Sequence, residues 1–279
     1  MKTRILTAIV AIFVILIPCI AFMHTVVLPI ILGLFAAIAV HEVIKATGGK
    51  NNVILAISCI TAAAVPFLFH FGIKIPFMPV AVIYTLLYLI IMVPMHKTTK
   101  FNDVITALFS TVAIPTSISV FILLRDVYIT NPDSYTKSSG VFLILFAMFC
   151  AWMTDTFAYF SGKFLGRHKL CPNVSPNKTV EGAVGGVIGA TIMNLILFTV
   201  FDKFFFTAHT LMWWQIIIIS VVLSVVSMFG DLSASIIKRN HGIKDFGKIF
   251  PGHGGVMDRI DSCLFVLPAL YIALYFINL

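Results

Sequence analysis

Residues 216–226 read IIIISVVLSVV. The run carries no charge and no alternation of apolar and polar residues, so it is neither a half-buried strand nor a helix with one wet face. It lies inside an apolar segment, 213–230, close to the roughly 20 residues that a helix needs to cross a hydrocarbon core. Eight more segments read the same way: 5–22, 26–44, 52–70, 78–95, 103–124, 141–161, 184–201 and 262–279. Of the 279 residues 60% are hydrophobic and 11% charged, whereas soluble domains carry about 25% charged residues. The dyad alternation of an outer-membrane barrel strand is absent. The fold class expected is therefore an all-α polytopic membrane protein with about nine transmembrane helices.

Charge orients it. With the N-terminus cytoplasmic, fifteen of the 19 Lys and Arg residues fall on the cytoplasmic side. Only Lys74, Arg125, Lys137 and Lys203 fall outside. The positive-inside rule selects this orientation and puts the C-terminus outside. The net charge of +8 then faces anionic headgroups or an anionic ligand. The first segment lacks a small-residue cleavage site and is read as a retained helix rather than a signal peptide. Cys19, Cys59, Cys150, Cys171 and Cys263 have no CxxC spacing and read as small buried hydrophobes, not a zinc site. The segment at 184–201 is preceded and opened by GAVGGVIGA, with Gly182 and Gly186, and Gly185 and Gly189, each four apart. That spacing favours close helix packing over phosphate binding.

Two connections are long, 162–183 and 231–261. They hold nine of the fifteen cytoplasmic basic residues, and with their edges six of the 11 acids. Chemistry is therefore expected in a C-terminal region, 141–279, and a scaffold in 1–140, where Glu42 and Asp103 are isolated acids. The longer connection reads GDLSASIIKRNHGIKDFGKIFPGHGGVMDRIDS. Asp231 closes one apolar segment, and Asp258 and Asp261 open the next, three apart and on one face if helical. Carboxylates at a membrane edge need partners or a metal, and oxygen ligands suit Mg²⁺ or Mn²⁺. Lys238, Arg239, Lys244, Lys248 and Arg259 lie among the acids, as a metal–polyphosphate complex requires. The same residues also make sense as a salt-bridged loop with ordinary helix caps. In the shorter connection Ser175, Asn177, Lys178 and Thr179 cluster before Glu181, and Asp155 lies within the preceding apolar segment. Lys178 suits a phosphate, and Thr179 suits either a phosphate or a helix N-cap. No Walker A, Rossmann or HExxH pattern is present.

The arrangement Ser235-x-Ile237-Lys238-Arg239, Lys244-Asp245-x-Gly247, Phe250-Pro251-Gly252-His253-Gly254-Gly255-Val256-x-Asp258-Arg259-Ile260-Asp261 closely resembles the signature of the phosphatidate cytidylyltransferases, or CDP-diacylglycerol synthases. So do Asp155, Ala158-Tyr159, Gly162, Gly166 and Ser175-Pro176-Asn177-Lys178-Thr179-x-Glu181-Gly182, although family members often carry lysine at the place of Asn177. The detailed match covers 155–261; the N-terminal half resembles the family only in its run of apolar segments.

The resemblance implies an Mg²⁺-dependent nucleotidyltransferase, with Mn²⁺ as an alternative, that joins CTP to phosphatidate and releases pyrophosphate. The chemistry is consistent with that. A phosphate monoester has a second pKa near 6, so phosphatidate is already a nucleophile and needs no strong base. Positioning and positive charge are what bring one anion to another. On this basis Asp231, Asp258 and Asp261 are expected metal ligands. Lys238, Arg239, Lys244 and Arg259 are the expected phosphate clamp, with Asp245 beside them. Ser175, Asn177, Lys178 and Thr179 are expected to bind nucleotide or lipid phosphate. Asp155 and Glu181 are expected to orient bases or complete the metal site, and His253 to supply a positioning hydrogen bond or a proton. Expected partners are CTP, phosphatidate and membrane lipids, without nucleic acid; a homodimer is left open. The expected place is a bacterial inner membrane, with the site on its cytoplasmic side. The rival readings are a CTP-dependent lipid kinase and an ion-coupled transporter.

Overall fold

The computed structural model describes residues 17–277 except 75, 134, 207–210, 251 and 253. In chain order the elements are α1 (Ile17–Ala21), α2 (Val27–Ala46), α3 (Asn52–His70), α4 (Phe77–Met92), α5 (Phe101–Arg125), α6 (Val127–Thr130), α7 (Lys137–Leu165), β1 (Lys169–Cys171), β2 (Ser175–Thr179), α8 (Val180–Phe204), α9 (Trp213–Asn240), α10 (Met257–Ile260) and α11 (Cys263–Ile277). Seven helical segments of 19–29 residues are long and apolar enough to cross a membrane, and each matches an apolar segment of the sequence. The segment 78–95 forms a shorter helix, α4, bracketed by Pro76 and Pro94, which disfavour helix at their edges. The segment 5–22 lies largely outside the described residues.

The chain forms two compact units, Met1–Ile122 with Asn240–Ile260, and Leu123–Arg239 with Asp261–Leu279. The loop 240–260, expected to belong with the C-terminal region, thus packs with the first unit. In that unit α2 buries Leu28, Leu32, Ala36, Ala39, Val40 and Val43, which recur three or four residues apart on one helix face. Gly33 lets α3 approach, because a Cβ there would meet the Ala63 carbonyl oxygen at 2.6 Å. Asn51 caps α3, its side chain accepting from the N–H groups of Val53 and Ile54.

In the second unit α7 and α8 pack along their glycines. A Cβ at Gly182 would meet the Ala158 carbonyl oxygen at 2.8 Å, and one at Gly186 the Thr154 carbonyl oxygen at 2.7 Å. The glycine spacing thus serves helix contact. The opposite face of α8 presents Val184, Ile188, Ile192, Ile196 and Val200, all exposed, as a lipid-facing stripe does. Further along, Phe142, Phe198, Phe201 and Phe206 cluster, and Phe198 meets Trp213 edge-on at 4.9 Å.

One element departs from the all-α expectation. Residues 169–179 form a two-stranded antiparallel hairpin pairing Lys169 with Thr179 and Cys171 with Ser175. Its strands are three and five residues long and show no apolar alternation, so periodicity cannot reveal them.

Candidate active site

The hairpin delivers Lys178 to the second unit's acids. Thr179 caps α8, its hydroxyl accepting from the Gly182 N–H at 3.0 Å. That is the cap reading of Thr179. Glu181, in the first turn, accepts from the N–H groups of Arg167 (3.0 Å) and His168 (3.2 Å), and its other oxygen lies 2.7 Å from the His168 ring Nδ1. Glu181 therefore ties the start of the hairpin to the start of α8. Lys169 closes the hairpin, donating from Nζ to the Pro176 carbonyl at 2.7 Å. Between these fixed points Lys178 is half-buried, while Asn177 is exposed and Ser175 half-buried.

The Lys178 ammonium, shielded from solvent, meets the Asp231 carboxylate in an ion pair without a well-aligned hydrogen bond. Asp231 lies in α9, after the row Ser220, Ser224, Ser227, whose hydroxyls are buried. Asp261 is 8% exposed and within electrostatic reach of Asp231, Lys238 and Asp155. Its Oδ1 accepts from the Ser262 N–H at 2.7 Å. Lys238 is likewise 8% exposed, two turns beyond Asp231 on α9. Three acids and two lysines thus share one environment, and neighbouring carboxylates are oxygen ligands that suit a hard cation. Arg239 points elsewhere, its Nε donating to the Val174 carbonyl of the hairpin turn at 3.4 Å.

The first unit holds the other part of the expected site. Asp258, 7% exposed, accepts at Oδ2 from the N–H groups of Phe246 (2.8 Å) and Gly255 (3.0 Å). That oxygen anchors a loop. The next two N–H groups go to Glu42 of α2: Val256 donates to Oε1 at 3.1 Å and Met257 to Oε2 at 2.8 Å. Phe250 and Gly254 pair by one bridge, N–H to carbonyl at 2.9 Å, and Gly252 and Gly254 take φ of +79° and +81°, which glycine adopts without strain. Lys244, Asp245 and Arg259 are exposed around this folded loop. His253 and Pro251 lie outside the described residues.

One continuous helix does not carry both Asp258 and Asp261: α10 ends at Ile260, and Asp261 sits in the turn before α11. Among the described residues no group of three or more His, Cys, Asp or Glu is placed to hold a metal ion. The donor chemistry still fits Mg²⁺, which is bound through one or two carboxylates, waters and substrate phosphates rather than by a full protein cage. Asp231 and Asp261 are such a pair.

Glu42 is the residue that motif reading passes over. It is 5% exposed, inside a candidate membrane span. An ionisable residue inside a span marks function by default, and Glu42, the one acid of α2 and about one turn from its C-terminal end, is a residue of that kind.

The description "Cytidylyltransferase family" fits a model matched over residues 2–277. Among curated relatives, a protein of Staphylococcus saprophyticus is 48% identical over 139 residues, 50% of this chain and 51% of the relative. Proteins of Staphylococcus haemolyticus and Staphylococcus aureus are 45% and 44% identical over the same shares. All three are named phosphatidate cytidylyltransferase. The chain spans about half the length of the curated relatives it matches. With the family model covering the chain from residue 2 to residue 277, the chain belongs to the cytidylyltransferase family.

Proposed function

We propose that the protein joins CTP to phosphatidate, giving CDP-diacylglycerol and pyrophosphate, as part of phospholipid synthesis at the membrane. The observation that carries this reading is the cluster of Lys178, Asp231, Asp261 and Lys238, drawn from three separate stretches of sequence into one polar environment. Relatives named phosphatidate cytidylyltransferase support the choice of substrates.

A phosphate oxygen of phosphatidate forms a bond to the α-phosphorus of CTP. The bond from that phosphorus to the bridging oxygen breaks, and pyrophosphate leaves with the electron pair. Lys178 and Lys238 hold phosphate oxygens and offset the charge of two approaching anions. Asp231 keeps the Lys178 ammonium in place before substrate arrives. Asp231 and Asp261 would hold Mg²⁺, or Mn²⁺. The metal, when bound, supplies charge neutralisation for the triphosphate and the departing pyrophosphate. Asp258 orders the glycine-rich loop, along which Lys244 and Arg259 are exposed and suited to phosphate. Ser175 and Asn177 line the hairpin as polar contacts for nucleotide or lipid headgroup. Asp155 adds to the negative field that draws the cation. CTP is water-soluble and enters from the cytoplasmic side; the lipid enters sideways from the bilayer.

Product analysis tests this. Purified protein in detergent receives phosphatidate, Mg²⁺ and CTP labelled separately at the α- and γ-phosphorus. α-Label in the lipid with γ-label in pyrophosphate is expected. γ-Label in the lipid would make the protein a kinase, and no lipid labelling by a folded preparation would overturn the reading.

A further inference from the structure

Glu42 contributes no motif and comes from a helix with no other acid, yet it reaches the most distinctive loop of the chain. Its carboxylate is buried, and among the described residues no lysine or arginine forms an ion pair with it. What it meets instead is backbone. Oε1 takes the N–H of Val256 and Oε2 that of Met257. The preceding N–H, of Gly255, goes to Asp258. Three successive N–H groups are thus divided between two buried carboxylates, and this fixes the path of the chain where the glycine-rich loop turns into α10.

The glycines are part of the same arrangement. A Cβ on Gly255 would run into both carboxylate oxygens of Glu42, and one on Gly247 would run into Oε1. Neither glycine has φ in the left-handed region, so backbone conformation does not account for them. Space for the Glu42 carboxylate does. The identity of the acid also has a reason. Two oxygens accept two N–H groups. Glutamine offers one oxygen and turns an NH₂ toward the second N–H, so it cannot replace glutamate here.

We infer that Glu42 is the positioning residue of the glycine-rich loop: its carboxylate, acting through the N–H groups of Val256 and Met257 and filling the space left by Gly247 and Gly255, sets the conformation of residues 245–250 and 254–257 that the reaction depends on. This rests on the cytidylyl-transfer reading for its activity readout, but not for its structural one.

Two measurements test it on the full chain in detergent or nanodiscs. The first needs no substrate. In Glu42→Gln, amide exchange of peptides covering 245–257 should rise while peptides from α8 keep their protection. In the same variant kcat should fall about 10–100-fold, the range found when a partner one shell out from reacting groups is removed, with KM for CTP changed by less. The second is a size swap. Gly255→Ala should lose activity because its methyl meets the Glu42 carboxylate. Adding Glu42→Asp, which withdraws the carboxylate by one methylene, should recover part of that loss. A general loss of stability predicts the opposite, the double variant being worse than either single one. Unchanged exchange at 245–257 in Glu42→Gln, or a Gly255→Ala defect that Glu42→Asp deepens, would overturn the inference. Loop exchange that rises as expected, in a protein showing no cytidylyl transfer even as wild type, would leave Glu42 as the loop's clamp and sink the proposed reaction instead.

Discussion

Lys178 and Asp231 form an ion pair that is unlike a surface salt bridge in its surroundings. Both side chains are about three-quarters shielded, and Asp261 and Lys238, each 8% exposed, are close enough to feel the same field. Removing one partner of such a group leaves a buried charge uncompensated, a larger effect than the pair's own net worth. The consequences differ by residue. Asp231→Asn and Asp261→Asn keep size and shape but remove the charge proposed to hold a cation. Each should lower turnover by at least about 100-fold; Asp231→Asn, which strands the shielded Lys178 ammonium, should also lower the melting temperature, whereas Asp261→Asn, which is in no ion pair among the described residues, should leave it near that of the wild type. Lys178→Met removes the proposed phosphate contact and releases Asp231; it should reduce activity by a similar factor, and added Mg²⁺ should not restore it. Labelled-CTP incorporation together with a thermal melt reads all three. Wild-type turnover in Asp261→Asn would remove that residue from the site.

At the scale of elements, the helix pair α7–α8 shows where sequence suffices. Glycines four apart foretell close approach, and the structure has carbonyl oxygens of α7 where side chains would stand. Gly186→Val should therefore destabilise the protein by about 1–3 kcal/mol, the usual range for overpacking. Val184→Leu, on the exposed stripe of the same helix, should stay within about 0.5 kcal/mol. Comparing the two melts in one detergent separates packing from general helix effects. The apolar segments were equally legible, because hydrocarbon thickness and helix rise fix their length. The hairpin 169–179 was not, since its strands are too short to carry a period and one contains Pro176. Nor was the role of Glu42 or Asp258. Both bind backbone N–H groups, which every residue but proline possesses, so no side-chain pattern in the loop announces them. Spacing predicted one helix carrying Asp258 and Asp261; α10 ends at Ile260 and Asp261 lies in the turn that follows, and a break of that kind has no marker in residue type.

For the molecule as a whole, the distribution of charge carries the argument. The proposed reaction, between a soluble triphosphate and a lipid phosphate, needs cations on one side of the membrane. Fifteen of 19 basic residues fall there if the N-terminus is cytoplasmic. Inverting the chain would strand them across the bilayer from the anionic inner surface, against the bias that sets topology. The exposed apolar stripes keep the helices in lipid but are indifferent to which end faces the cytoplasm, so orientation rests on the loops alone. Single cysteines placed at Lys50, Lys169 and Lys244, in a background where Cys19, Cys59, Cys150, Cys171 and Cys263 are replaced, should then resist an impermeant thiol reagent added to intact cells. Cysteines at Lys74 and Lys137 should react without permeabilisation. Opening the membrane should expose the first set. Labelling of the Lys244 position in intact cells would place the glycine-rich loop outside, away from CTP, and with it the whole account of how substrate reaches Lys178 and Asp231.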